Sequence, residues 1–202
     1  MEITNRPPQL ILILGGARSG KSTFAEQLAK RSKRRVAFIA TATASDAEMS
    51  ERIQQHRASR PADWLTIEEP LDLASAIRRA APVADIMLLD CITLWLSNLL
   101  VRAGNLCDDE IAVATARYHD EALAAIDTLL ATFTTLDAGK TLIVVSNEVG
   151  LGIVPTGALS RLYRDVLGRV NQHLAAAAAR VYLMVAGLGV DIKRLHDEAR
   201  LG

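Results

Sequence analysis

An unbroken apolar run, Leu10-Ile11-Leu12-Ile13-Leu14, opens the legible pattern of the chain. Such a run, closed by glycines, predicts a strand covered on both faces. Four comparable strands are predicted at Val36–Ala42, Ile86–Asp90, Thr141–Ser146 and Val181–Ala186. Between them the apolar positions change to helical spacing. Phe24, Ala25 and Leu28 share one face of a segment running from Thr23 to Arg31. Ser45-Asp46-Ala47-Glu48 fits a capping box, and the helix it opens carries Met49 and Ile53 on one side, with His56 or Arg57, until Pro61 ends it. Glu69-Pro70-Leu71 predicts a further helix start, closed by Pro82. Ile92 to Val101, Asp108 to about Phe133 and Leu159 to Ala179 complete the set, and the segment from Gly187 onward reads as irregular or as a short helix. Strands alternating with helices predict a parallel sheet with helices on both faces. With no internal repeat and no linker, the 202 residues read as a single domain, 1–202.

The junction after the first strand carries the strongest chemical signal. Gly15, Gly16, Ala17, Arg18, Ser19, Gly20, Lys21 and Ser22 have the G-x-x-x-x-G-K-S spacing of a phosphate-binding P-loop, set between a strand and a helix as that motif requires. The glycines let successive backbone N–H groups turn inward toward phosphate oxygens. The helix N-terminus adds partial positive charge. Lys21 is placed for the β- and γ-phosphates, and Ser22 for a Mg²⁺ ion. This predicts a nucleotide-binding domain of the P-loop NTPase type, a RecA-like three-layer α/β fold with a mainly parallel central sheet.

Composition narrows the field. Lys plus Arg and Asp plus Glu are 23 each, so formal net charge is zero, which speaks against a broad nucleic-acid or membrane-surface role. No apolar run approaches ~20 residues, the length a membrane span needs. The start, Met1 to Pro8, lacks the plan of a signal peptide. Cys91 and Cys107 are unpatterned and read as reduced thiols of a cytoplasmic protein, not as a disulfide or metal site.

Other candidates follow from position. Ile86 to Asp90 is an apolar strand ending in a carboxylate, the Walker-B pattern that supports Mg²⁺ beside the P-loop. Thr41 and Thr43 end the second predicted strand at the edge where α/β sheets bind ligands, and the Asn147–Pro155 stretch predicts a loop at that same edge. The cluster Lys30, Arg31, Lys33, Arg34 and Arg35 reads as a solvated helix end, with phosphate binding as the alternative. His119 reads as a surface residue, and His173 and His196 have no partners that suggest chemistry. His56 stays open between two readings. By periodicity it is an exposed helix histidine. By chemistry it is a nucleophile toward phosphorus, with nearby arginines to steady the developing charge.

The chain resembles the bifunctional adenosylcobinamide kinase/adenosylcobinamide-phosphate guanylyltransferase family of cobalamin biosynthesis. The likeness is carried by the P-loop in its G-G-A-R-S-G-K-S form, by Arg52-Ile53-Gln54-Gln55-His56, by Leu88-Leu89-Asp90-Cys91-Ile92-Thr93, by Asn147-Glu148-Val149-Gly150 with Gly152-Ile153-Val154-Pro155, and by Gly168-Arg169-Val170-Asn171-Gln172, in the same order. The resemblance implies two reactions, phosphorylation of adenosylcobinamide from ATP or GTP, then transfer of GMP from GTP to the resulting phosphate. It implies that His56 carries GMP covalently. It implies GTP contacts from Gly15 to Ser22, from Thr41, Ala42 and Thr43, from Arg57, Ala58, Ser59 and Arg60, and from Glu68 and Asp90, with Ser22 and Asp90 on Mg²⁺. Some relatives carry two adjacent histidines where this chain has Gln55-His56, and some carry Glu where it has Asp90. A corrinoid substrate and a homo-oligomer, a trimer with the active site near a subunit boundary, are implied as well. Two other readings compete: a P-loop small-molecule kinase without a covalent intermediate, and a P-loop ATPase acting on nucleic acid. No N-K-x-D motif of the GTPase type accounts for guanine recognition.

Overall fold

The computed structural model describes residues 7–43, 51, 57, 60–102 and 108–201. The predicted capping box at Ser45, the positions Arg52, His56, Ala58 and Ser59, and Cys107 lie outside the described residues. Seven strands form one sheet: β1 (Gln9–Gly15), β2 (Val36–Ala40), β3 (Leu65–Glu68), β4 (Ile86–Asp90), β5 (Thr141–Val145), β6 (Arg180–Val185) and β7 (Leu188–Asp191). Their spatial order is β3-β2-β4-β5-β1-β6-β7. All neighbouring pairs run parallel except β6 and β7. The helices are α1 (Lys21–Arg31), α2 (Leu73–Ala80), α3 (Ile92–Arg102), α4 (Asp108–Thr134), α5 (Ala158–Ala177) and α6 (Ile192–Leu201). No helix among the described residues is long and apolar enough to cross a membrane.

The unbroken apolar strands are explained by cover on both faces. Ile13, Phe38, Leu88, Ile143 and Val145 face α1 and pack on Ala25 and Ala29. Their immediate neighbours Leu12, Ile39, Leu89, Leu142 and Val144 face the other way. They join Ile77, Trp95, Ile126, Leu129, Leu167 and Val170 in the larger core under α2 to α5. The fold is therefore the expected three-layer α/β sandwich around a mainly parallel sheet.

Three local expectations are corrected. Strand β3 was not anticipated: it is only four residues long, on the sheet edge, and alternates Leu65, Thr66, Ile67, Glu68 where the interior strands carry unbroken apolar runs. The helix expected from Glu69-Pro70-Leu71 starts later, because the Glu69 carboxylate accepts from the N–H groups of Leu71 and Asp72 and forms a turn first. Asp72 then caps α2 by accepting from Ser75 N–H at 2.9 Å. The segment after Gly187 is not irregular: the short helix of the alternative reading is present as α6, but an unexpected strand, β7, precedes it. Ala186 and Gly187, at φ 51 and 82, make the two-residue turn that folds β7 back on β6.

The basic cluster lies away from the ligand edge. Arg35, just before β2, pairs with Asp85 at 2.9 Å, and Arg34 donates to the Gly139 carbonyl. Asp85 also faces Lys140 at 3.6 Å, and the Arg35 guanidinium with these neighbours holds its carboxyl down at about 2. This favours the solvated helix-end reading of the cluster. His119 departs from the surface reading. Its side chain is 22% exposed, and its Nε2 is buried without a hydrogen-bond partner among the described residues. His173 bridges α5 to α4 through Asp127 at 2.6 Å.

Two polar networks hold the loops at the ligand edge. Asn98 of α3 donates to the carbonyls of Thr41 and Pro70, while the Trp95 indole donates to Leu71. Buried Asn171 of α5 accepts from the Ser146 hydroxyl at 2.7 Å and donates to the Asn147 carbonyl at 2.9 Å. Replacing Asn171 by Ala strands both groups in the interior. A loss of about 2 kcal/mol is expected, read from the shift of the urea unfolding midpoint at unchanged slope.

Candidate active site

Strand β1 is the centre of the site because its C-terminal end turns directly into the P-loop. Gly15, at φ 151, passes so close to β6 that a Cβ there would lie 2.6 Å from the Met184 carbonyl oxygen. The chain then curls through Gly16 to Gly20 and enters α1 at Lys21. No side-chain hydrogen bond caps that helix start, and Gly20 itself sits at φ 94. The first-turn amides are thus available to an anion. Three contacts fix the loop from outside. Glu148 N–H donates to the Gly15 carbonyl, Gly187 N–H donates to the Ser19 carbonyl, both at 3.0 Å, and Gly20 abuts Gly187.

Lys21 donates from Nζ to the Gly16 carbonyl at 2.6 Å and is only 8% exposed. Burial lowers its pKa below the ordinary lysine value, against opposing pulls from Cys91 and the Asp90 carboxylate. Asp90 ends β4 in register with Ala40 of β2 on one side and Val145 of β5 on the other. Next to it, burial pushes the Cys91 thiol up to about 11, so it is a protonated lining group at neutral pH. The Asp90–Cys91 peptide is cis.

A cavity of about 560 Å³ opens over this edge. Of the predicted residues it is lined by Ala17 to Ser22, Ala42, Arg57, Arg60, Glu68 and Asp90. Thr41 does not line it. It is fully buried, and its hydroxyl is used on the Cys91 backbone, donating to the carbonyl and accepting from the N–H. Thr43 instead reaches Asn98 at 3.4 Å. Sequence reasoning missed Phe38, Ala40, Thr66, Thr93, Leu94 and Val145, which also line the cavity, as does Asn147 from the loop expected at this edge. Thr93 and Asn147 follow strand ends, and the strand-end rule that found Thr41 applies equally to them. Thr93 Oγ1 accepts from Asn147 N–H, and Tyr163 donates to the Thr93 carbonyl, joining the two sides of the rim.

Among the described residues, positive groups outnumber negative ones on the cavity wall. Arg60 lies with Cζ 3.3 Å over the Phe38 ring, and its Nε is buried without a hydrogen-bond partner among the described residues. Burial lowers its pKa, against the attraction of Glu26 and Asp90. Arg57 faces Glu68 at 3.7 Å. Ser22 and Asp90 supply the hydroxyl and carboxylate oxygens that a hard cation prefers. Among the described residues no group of three or more acidic, His or Cys side chains is assembled to hold a metal by protein ligands alone.

The buried lysine, the glycine-rich loop and the uncapped helix start together leave cationic and N–H groups open to an anion. Comparison with known proteins gives the site a family context. The family described as cobinamide kinase / cobinamide phosphate guanyltransferase matches residues 11–192. The bifunctional adenosylcobalamin biosynthesis protein CobP of Pseudomonas aeruginosa is 48% identical over 182 residues, covering 90% of this chain and 96% of its own length. The bifunctional adenosylcobalamin biosynthesis protein CobU of Escherichia coli is 43% identical over 185 residues, 91% of this chain and 99% of the relative. In fold, the chain is similar to an ATPase from a bacterial type III secretion system, with a TM-score of 0.53 at 10% identity over 94% of this chain and 58% of the other.

The lowered lysine pKa has a measurable consequence. A bound triphosphate restores charge around Lys21 and raises its pKa. Between the free and bound values, binding takes up a proton, so affinity falls as pH rises toward the ordinary lysine range. Calorimetric titration of inorganic triphosphate at alkaline pH, in buffers of different ionisation enthalpy, is expected to show net proton uptake. The uptake should vanish in Lys21→Met.

Proposed function

The chain belongs to the cobinamide kinase / cobinamide phosphate guanyltransferase family, and from that premise we propose that it phosphorylates adenosylcobinamide and then transfers GMP to the product through a guanylylated His56. One observation carries the reading at the level of the site: Lys21, Ser22 and Asp90 meet in a single cavity with Arg57 and Arg60 on its wall.

In the kinase step the hydroxyl oxygen of the corrinoid's aminopropanol arm attacks the γ-phosphorus of ATP or GTP. The bond to the bridging oxygen breaks, the nucleoside diphosphate leaves, and the hydroxyl proton passes to solvent. In the transfer step an imidazole nitrogen of His56 attacks the α-phosphorus of GTP and pyrophosphate leaves. A phosphate oxygen of adenosylcobinamide phosphate then attacks the same phosphorus, the P–N bond breaks, and adenosylcobinamide-GDP forms with the imidazole regenerated. His56 lies outside the described residues, so its role rests on chemistry and family resemblance. Lys21 serves both leaving groups, because both depart from the β-phosphate side. Ser22 and Asp90 would hold Mg²⁺, which neutralises phosphate charge when bound. Arg57 and Arg60 would steady charge at the α-phosphate. A homotrimer in the cytoplasm belongs to the same proposal and is carried by the resemblance.

The two chemistries separate at one residue. His56→Ala is expected to abolish acid-labile labelling by α-labelled GTP and to lower GMP transfer by at least about a thousandfold, as loss of a covalent nucleophile does. Nucleotide binding and kinase turnover on adenosylcobinamide persist in the same preparation. Undiminished GMP transfer would end the histidine mechanism and leave a P-loop kinase in its place.

A further inference from the structure

Asn147 is set between the P-loop and the strand-end carboxylate. In the sheet, Val145 of β5 stands beside Ile13 of β1 on one side and Asp90 of β4 on the other. Past the strand the pairing with β1 continues. Ser146 N–H donates to the Ile13 carbonyl and Glu148 N–H to the Gly15 carbonyl, both at 3.0 Å. Asn147 therefore stands beside Gly15, where the P-loop begins, about one strand spacing (~4.8 Å) away. Alternation along the chain turns it to the same face as Val145, and both line the cavity. Ser146 turns the other way, onto Asn171.

The main chain of Asn147 is held from two helices. Its N–H donates to Thr93 Oγ1 of α3 and its carbonyl accepts from Asn171 of α5, both at 2.9 Å. Its carboxamide takes no hydrogen-bond partner among the described residues. A half-buried amide on a fixed backbone thus faces the cavity with its polar end unused. The Lys21 ammonium rests on the carbonyl of Gly16, the residue after Gly15. The amide and the ammonium therefore serve the same end of the cavity, where the terminal phosphate of a nucleotide belongs. An amide supplies a donor and an acceptor without charge. A carboxylate in that place would repel the phosphate oxygens, and a second ammonium would have nothing to accept with.

We propose that Asn147 is a catalytic residue of the kinase step alone, its carboxamide N–H donating to an oxygen of the γ-phosphoryl group and its carbonyl oxygen accepting from the attacking hydroxyl. The inference rests on the two reactions proposed above. By taking the hydroxyl hydrogen, the amide turns an oxygen lone pair toward phosphorus. The new P–O bond forms as the bond to the bridging oxygen breaks, and the proton passes to solvent, since an amide is no base. The contribution is positioning, which is most of what a protein supplies to phosphoryl transfer. GMP transfer makes no such use of it. There the nucleophile is an imidazole and the reacting phosphorus is the α-phosphorus, two bridging oxygens away. A contact with the γ-phosphate is the same before and during that step, so it adds to nucleotide binding without speeding the transfer.

The test measures both reactions on Asn147→Ala and on Asn147→Asp, which keeps the side-chain shape. Kinase turnover is followed on adenosylcobinamide, GMP transfer on adenosylcobinamide phosphate supplied ready-made, and GTP affinity by equilibrium binding, each on the same preparation. Kinase kcat is expected to fall at least about a hundredfold in both variants, the scale set by losing one positioned group at a reacting centre. GMP transfer at saturating GTP should stay within about threefold of the intact protein, and the alanine variant should bind GTP within about tenfold, as loss of one neutral hydrogen bond predicts. Kinase kcat undiminished in either variant would overturn the assignment. Equal losses in the two reactions would also overturn it, because they would mark Asn147 as a structural residue of the rim. An intact protein that transfers GMP but does not phosphorylate adenosylcobinamide would remove the kinase half of the proposed function and this inference with it, whereas an active intact protein with an equally active variant sinks the inference alone.

Discussion

A lysine ammonium buried at the open edge of a parallel sheet is the constraint around which this molecule is built. Lys21 gives one hydrogen bond to a loop carbonyl and lies within the field of Asp90. Removing an ammonium from water costs far more than one such bond returns, which is why its pKa falls. The site is therefore tuned for an incoming anion, and Arg18, Arg57, Arg60 and the uncapped start of α1 all raise the same demand. A chain with zero formal net charge thus concentrates positive potential in one cavity. The balancing acidic residues sit elsewhere, as Asp85 does beside Arg35 and Lys140.

Holding such a loop in place requires rigid surroundings, and these come from polar side chains buried at strand ends. Thr41 ties β2 to the backbone after β4, and Asn98 ties the same turn to α3. Asn171 and Thr93 tie the turn after β5 to α5 and α3. Each replaces water at a backbone group that the sheet leaves unpaired, so the rim's main chain is satisfied by side chains. Beyond this frame the loop runs out to Ile153, which is 97% exposed.

Much of this was legible in the sequence, for physical reasons. Buried parallel strands are continuously apolar, so β1, β2, β4, β5 and β6 announce themselves, and the P-loop follows from backbone requirements that only a few residue types meet. Asp90 was legible because it ends an apolar run downstream of that motif. What escaped was set by pairing in space. β3 alternates because it is an edge. The hairpin that makes β7 turns on Ala186, a residue type that gives no warning of a positive φ. Phe38 read as core, and only the approach of Arg60 across it shows a second use. Thr41 was chosen for its place at the end of a strand, yet it is buried there and its hydroxyl is spent on structure.

The strand order also fixes when this protein can first act during its synthesis. β1 lies between β5 and β6 and pairs with no other strand. Residues 9–15 leave the ribosome early, but their partners at 141–145 and 180–184 come more than a hundred residues later. The turn at Gly187, whose N–H fastens Ser19, comes later still. At ~5–20 residues per second, the P-loop segment waits many seconds as an apolar strand with both edges open. Nucleotide cannot template its folding in that interval, because the cradle is completed by the last strands to emerge. A nascent chain of this topology depends on being shielded until β5 and β6 have emerged, and the P-loop gains its ligand in a single step after that.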